Sequence, residues 1–206
     1  MKVLLVNGSP NEKGCTNRAL EEVKSELVKN GLEAEIFWLG KSAMQGCIAC
    51  GKCRILKKCV FEDKVNEFAK TAESADGFVF GSPVYYSGAS GSIVPFMNRL
   101  FYSHGKEFKY KAAATVVSCR RGGATMTFAE LNQHYLMNNM FVVGSQYWNQ
   151  VHGFTAEDVE KDEEGLQTMR TLARNTAWLL KNIEAGKKAG VALPEHERHI
   201  QTDFIR

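Results

Sequence analysis

The sequence has no long hydrophobic run: no apolar stretch approaches the roughly 20 residues of a membrane-spanning helix. Its apolar opening, Val3-Leu4-Leu5-Val6, stops at Asn7-Gly8 and is too short for a secretory signal. Strong charge of one sign is missing too. The formal charge of +3 is too small to argue for nucleic acid or a membrane surface as a partner. Internal repeats and low-complexity tracts are absent, which excludes solenoids and repeat arrays. The expectation left standing is a soluble, cytoplasmic protein whose 206 residues form a single domain with a sizeable core.

Six cysteines are present, at 15, 47, 50, 53, 59 and 119. Four of them fall within thirteen residues, which is not how a disulfide framework is spread along a chain of this size. Clustered thiols in a reducing compartment point to metal binding or redox chemistry.

Lys2 to Val6 reads as a buried strand running into the loop Asn7-Gly8-Ser9-Pro10. Residues 16–29 carry Ala19, Leu20, Val23 and Leu27 at helical spacing, and Gly31 ends that helix. Residues 33–39 form the next strand, and 40–60 fit neither period and hold the cysteines. A helix over 63–74 with Asp63 as N-cap follows, then a strand over 77–81 and the loop Ser82 to Gly88. Residues 92–102 read as helix with Pro95 in the first turn, 112–117 as strand, 125–137 as helix and 140–144 as a short fifth strand. The longest helix opens at Thr155 or Asp158 and runs to about Glu184; a polar arm, 186–206, lies over the surface or on a neighbouring subunit.

Strands that are apolar throughout, alternating with helices, call for a parallel sheet covered on both faces. The expected fold is therefore α/β and flavodoxin-like, a three-layer sandwich with a five-stranded sheet in the order 2-1-3-4-5 and a cysteine-rich insertion after strand two. Ligands of such sheets sit beyond the carboxyl ends of the strands where the order reverses, between strands one and three. The loops after strands one, three and four are the candidates.

In the first loop, Ser9, Asn11, Gly14, Cys15, Thr16 and Asn17 lead into a helix N-terminus, where backbone N–H groups favour an anion. It is neither a P-loop nor a dinucleotide glycine fingerprint. The second loop offers Ser82, Pro83, Val84, Tyr85 and Tyr86, a Pro-fixed turn with aromatic faces for a flat heterocycle. The third offers Ser118, Arg120, Arg121, Gly122 and Gly123. Arginine there suits the pyrimidine edge of a flavin, although one of the two also reads as a solvated turn residue.

Asn7-Gly8-Ser9-Pro10 with Gly14-Cys15-Thr16-Asn17, then Gly81-Ser82-Pro83-Val84-Tyr85-Tyr86, resembles the NADPH-dependent FMN reductase-like branch of the flavodoxin superfamily. The resemblance covers nearly the whole chain. It implies that the first loop holds the FMN phosphate at Ser9, Asn11, Cys15, Thr16 and Asn17. It also implies that Pro83 to Tyr86 and Ser118 to Gly123 flank the isoalloxazine. Cys15 stands where many members have Asn or Ser. Tyr147-Trp148-Asn149 and His152-Gly153 look like the segment that relatives place near the ring, sometimes across a subunit boundary.

Cys47, Cys50, Cys53 and Cys59 have the spacing C-x2-C-x2-C-x5-C. Three ligands at every third residue can turn around one cubane, and a fourth can close it. Lys52, Arg54, Lys57 and Lys58 suit a negatively charged cluster, with no acid between Cys47 and Cys59. A single [4Fe-4S] is the economical reading; zinc and a metal-free set of thiols remain alternatives. In an FMN-type fold this motif resembles the iron-sulfur flavoproteins, which implies electron exchange between cluster and FMN.

The expected function is an FMN oxidoreductase with no side-chain acid or nucleophile as catalyst. A small-molecule or protein carrier, or NAD(P)H, supplies the electrons, and a homodimer or homotetramer is the expected assembly. The rivals are a cluster-free NAD(P)H-dependent FMN or quinone reductase, a flavodoxin-type shuttle, and a zinc clip for assembly. Of the histidines (104, 134, 152 and those of the tail), only His152 merits a test.

Overall fold

The structure, a computed structural model, describes residues 1–195, 197–198 and 200–202. Its strands are β1 (Lys2–Asn7), β2 (Glu33–Trp38), β3 (Gly77–Tyr85), β4 (Gly88–Ala89), β5 (Ala112–Cys119), β6 (Phe141–Val142) and β7 (Gln150–His152). The helices are α1 (Cys15–Lys29), α2 (Cys53–Leu56), α3 (Lys64–Ala72), α4 (Ile93–His104), α5 (Ala124–Met137), α6 (Ala156–Val159) and α7 (Glu163–Lys188).

Alternate residues of β1 explain the three layers. Leu4 and Val6 pack with Phe68 of α3, Phe96 of α4 and Leu131 of α5. Val3 and Leu5 face the other way, onto Leu20 and Val23 of α1 and Met169 and Leu172 of α7. A strand buried on both faces cannot alternate polar and apolar residues, hence the unbroken apolar runs. Edge contacts of Phe68 with Phe37 at 5.1 Å and Phe96 at 5.4 Å anchor the first layer.

The main sheet path is β2-β1-β3-β5-β6, with β1 parallel to β2 and β3, and β5 parallel to β3, β6 and β7. This is the expected parallel flavodoxin-like layout, but the five-stranded description needs correction because two strands are added. β4 pairs antiparallel with the end of β3 through a turn in which Tyr86 and Ser87 both have positive φ. Tyr-Ser is not a residue pair that announces such a turn. The expected fifth strand shrinks to Phe141–Val142; the chain leaves the sheet and returns as β7 on the outer part of β5.

Two loops also begin later than the sequence implies. β3 runs on through Ser82 and Pro83, paired with Val117 and Ser118, to Val84, paired with Ala89, and β5 runs to Cys119. The expected long helix is split. Thr155 and Asp158 form a reciprocal capping box for α6, and Asp162 then caps α7 by accepting from Gly165 N–H at 2.9 Å. α7 continues past Gly186 to Lys188, so the polar tail starts later than expected. Positions 196, 199 and 203–206 of that tail, including both of its histidines, lie outside the described residues.

α1 and α7 are joined by ion pairs: Arg170 with Glu22 at 2.6 Å, and Arg174 with Glu26 at 2.7 Å. Burial works against ionisation of Glu26, but the Arg174 guanidinium and Lys29 outweigh it and hold the carboxyl below its ordinary value. A carboxyl depressed in the folded state stabilises above its unfolded value, near 4.3, and that contribution fades as pH falls through the folded value. Urea unfolding across a pH series should therefore show stability dropping below about pH 4.3, with a shallower drop in Glu26→Gln. Equal slopes for the two proteins would remove Glu26 from the acid limb.

Candidate functional site

β1, β3 and β5 lie side by side and parallel, so Asn7, Tyr85 and Cys119 end at one edge of the sheet. After β1 the chain crosses to one face as α1; α3 and α4 return on the other. The strand order thus reverses between β1 and β3, the place where open α/β sheets leave a crevice.

The backbone is locked there before any ligand is considered. Gly8 N–H donates to Gly81 C=O at 2.9 Å, and Gly8 C=O accepts from Ser90 Oγ at 2.6 Å and Ser92 Oγ at 3.0 Å. A Cβ on Gly8 would meet Ile93 at 2.7 Å and Gly81 O at 2.9 Å, so only glycine fits. The first loop is held by buried Asn7, whose Oδ1 accepts from Ser9 N–H and whose Nδ2 donates to Glu12 C=O. Trp38 Nε1 donates to Ser9 C=O at 2.8 Å, tying the loop to β2.

A cleft of about 490 Å³ opens over these strand ends. Ser9, Asn11, Gly14, Cys15 and Thr16 line it from the first loop, Pro83, Val84 and Tyr85 from β3, and Ser118 and Arg120 from the third loop. The other expected residues stand back from it. Asn17 turns to Asn7 Nδ2, and Ser82 Oγ donates to Pro83 C=O and accepts from Ser90 N–H. Tyr86 is fully exposed at the hairpin tip, and Arg121, Gly122 and Gly123 approach α5 without lining the cleft. Gly123, at φ +89°, starts α5 as a left-handed cap.

Phe154 lines the cleft and was missed; Cys119, inside the expected Ser118 to Gly123 stretch, and Gly153, in a segment the sequence had flagged, line it too. An exposed Phe after His-Gly carries no signal. Tyr147 and Trp148 pack edge to face at 4.5 Å and stay exposed outside the cleft. His152 is also outside it, with its backbone N–H and Nδ1 on Asp162.

α3, α6 and α7 each have a side chain that accepts from their first turn: Asp63, Thr155 and Asp162. α1, α4 and α5, which follow β1, the β3–β4 hairpin and β5, have neither an N-cap side-chain bond nor an acidic residue in the first turn, and nor does the short α2. Of these, only α1 starts at the cleft, through Gly14, Cys15 and Thr16, and its first N–H groups and positive helix end are left for an anion; at α4 the Ile93 N–H already donates to Ser90 Oγ. Thr16 Oγ1 lies 2.7 Å from Ser118 Oγ; each hydroxyl has one proton and only one is used between them, so one O–H stays available. Burial raises the thiols of Cys15 and Cys119, which keeps them neutral in the cleft. Cys15 Sγ donates to Gly153 C=O at 3.5 Å.

The four clustered cysteines all line one small recess against α4. Cys47 and Cys50 are exposed, Cys53 is half-buried and Cys59 is buried. Ala49, at φ +52°, and Gly51, at φ +67°, make the tight turns between the first three. Among the described residues no three His, Cys, Asp or Glu side chains are gathered closely enough to hold a metal ion. The donor set nevertheless suits a cluster: four thiols on one recess, with the basic residues 52, 54, 57 and 58 beside them. A hollow of about 550 Å³ adjoins Cys53, lined by Arg54, Lys57, Lys106 and Lys109, and carries none of the strand-end groups.

Comparison with known proteins fits this geometry. Residues 1–155 match the family model for NADPH-dependent FMN reductase. An iron-sulfur flavoprotein of Methanocaldococcus jannaschii is 31% identical, with 89% of this chain and 100% of that protein covered. An iron-sulfur flavoprotein of Methanosarcina thermophila is 25% identical over 91% of this chain and 99% of its own. Among solved structures, RosB with a bound riboflavin-phosphate-type intermediate aligns at TM-score 0.70 and 14% identity, covering 100% of this chain and 92% of that one. An NAD(P)H:quinone oxidoreductase from Methanothermobacter marburgensis aligns at 0.63 and 18%, covering 85% and 98%.

Proposed function

This chain belongs to the NADPH-dependent FMN reductase family, near its iron-sulfur flavoproteins, and on that premise we propose that it is an electron-transfer oxidoreductase with two redox centres. FMN lies in the strand-end cleft, and a [4Fe-4S] cluster is held by Cys47, Cys50, Cys53 and Cys59. A reduced carrier or NAD(P)H supplies electrons and a small molecule takes them. The observation that carries this reading is the uncapped start of α1, whose Gly14, Cys15 and Thr16 line the strand-end cleft together with Ser9, Ser118 and Arg120.

Flavin supplies the conversion between two-electron and one-electron traffic, and the protein supplies binding and tuning. The first turn of α1, with Ser9, Thr16 and the Thr16–Ser118 hydroxyl pair, binds the phosphate. Pro83, Val84 and Tyr85 present a fixed strand edge and an aromatic face to the ring. Arg120 places positive charge on the opposite side. Neutral Cys15 and Cys119 narrow the cleft without adding charge. Exposed Phe154 beside the cleft, with Tyr147 and Trp148, supports cover by a second copy in a homodimer or homotetramer.

Protein purified without oxygen should carry FMN and equal amounts of iron and sulfide, and should oxidise NAD(P)H or accept electrons from a reduced carrier. Flavin with four titratable thiols and no iron would remove the cluster. That outcome favours the second reading, a cluster-free NAD(P)H-dependent FMN or quinone reductase, to which the exposure of Cys47 and Cys50 lends support.

A further inference from the structure

Arg99 is among the largest fully buried side chains of the molecule, in the middle of an otherwise apolar face of α4. Its guanidinium has five N–H groups, and their acceptors are all in view. Nη1 and Nη2 grip both oxygens of Asp63 at 2.7 and 2.9 Å, and Nη1 also donates to Gln45 C=O at 3.1 Å, with Met44 Sδ a more distant acceptor at 3.5 Å. Nε and Nη2 reach Cys59 Sγ at 3.2 and 3.3 Å, and the guanidinium carbon lies 4.9 Å from the centre of the Phe61 ring. Taking a cation out of water is costly, and Asp63 offsets one charge. A salt bridge alone leaves unexplained why two of the five N–H groups point at a sulfur.

Cys59 is also fixed through its backbone. Its N–H donates to Asn66 Oδ1 at 3.0 Å, and its C=O accepts from Asn66 Nδ2 at 2.9 Å. Cys47 and Cys50, in contrast, sit exposed on irregular chain. One of the four thiols is thus built into the core and the others approach it from outside.

We propose that Arg99 is a positioning residue for the metal centre: it anchors the Cys59 sulfur as the fixed ligand and, through its two hydrogen bonds, raises the reduction potential of the cluster. This rests on the cluster reading above. Hydrogen bonds to ligand sulfur and nearby positive charge favour the more negative, reduced state. Asp63 acts in the opposite sense, by offsetting the Arg99 charge.

The test uses the anaerobically prepared holoprotein and two readouts besides activity: the cluster potential from a spectroscopic redox titration, and the rate of iron release to a chelator. Arg99→Gln should move the cluster potential to a more negative value and speed iron release about tenfold, in line with losses on removing such supports, with bound FMN unchanged. Should that variant fail to fold, Arg99→Lys keeps a cation for Asp63 but loses the fork, and should shift the potential in the same direction. Asp63→Asn, which keeps a capping side chain for α3, should shift it the other way. A purely structural salt bridge predicts the same direction for Arg99 and Asp63 variants, and that result overturns the inference. An unchanged potential in a folded Arg99 variant overturns it as well. Absence of iron from the unaltered protein overturns the cluster reading first, and the inference with it.

Discussion

Cys50→Ser should abolish the visible absorbance of the cluster and leave FMN bound. Cys50 lines the recess against α4, whereas the strand-end cleft is lined by a different set of residues with none in common. A hydroxyl is a poor replacement for a thiolate ligand, and three thiolates do not close a four-cysteine site. The substitution should cost the fold little, because Cys50 is exposed on irregular chain, where changes usually stay within about 0.5 kcal/mol. Spectra taken without oxygen, with iron, sulfide and acid-released flavin measured on the same sample, decide the matter. Loss of FMN together with iron would show that the cysteine segment supports the cleft; retention of the cluster would remove Cys50 from the ligand set.

Thr16→Val should weaken FMN about tenfold to a hundredfold and leave riboflavin within a few-fold. Hydrogen bonds to charged groups contribute about 1.5–3 kcal/mol, against 1.4 kcal/mol per factor of ten. Valine keeps the branched shape that packs beneath Gly81, where Thr16 Cγ2 would lie only 2.9 Å from an added Cβ. The change therefore removes a hydroxyl without moving α1. Ser118 Oγ also loses its partner, and that effect is common to both ligands. Titration calorimetry with each ligand separates the two contributions. Equal weakening would assign Thr16 to the Ser118 contact alone and leave the phosphate to the helix amides and Ser9.

The sheet was legible because its physics is local. Val3-Leu4-Leu5-Val6 and Phe78-Val79-Phe80 are apolar on both sides of the pleat, and only a strand covered on two faces needs that. The first loop was legible from the chemistry of a helix start. β4 and β7 were not, because a two-residue and a three-residue strand carry no periodicity of their own. The break between α6 and α7 was obscured by two capping signals seven residues apart, Thr155 and Asp162, each able to open a helix. Tyr86 and Arg121 were expected at the ligand from their position in sequence, but the turn geometry carries them outward. Arg99 had a readable sign that went unused. It lies three residues after Phe96 and one before Leu100, on the buried stripe, where a solvated arginine has no place.

The uncapped start of α1 has a consequence for how this protein can change over generations or in the laboratory. An Asp or Ser at position 14 would cap the helix and, by general experience, stabilise the empty protein by about 1 kcal/mol. The same side chain would occupy the amides left for a phosphate, and an Asp would repel it. A screen for heat resistance in cofactor-free protein would therefore enrich variants that have closed their own binding site. The same screen run with saturating FMN would preserve it, because ligand binding to the folded state supplies stability by mass action. The stability forgone at this edge is the counterpart of ligand binding, and its measure is the gap in melting temperature between the two forms.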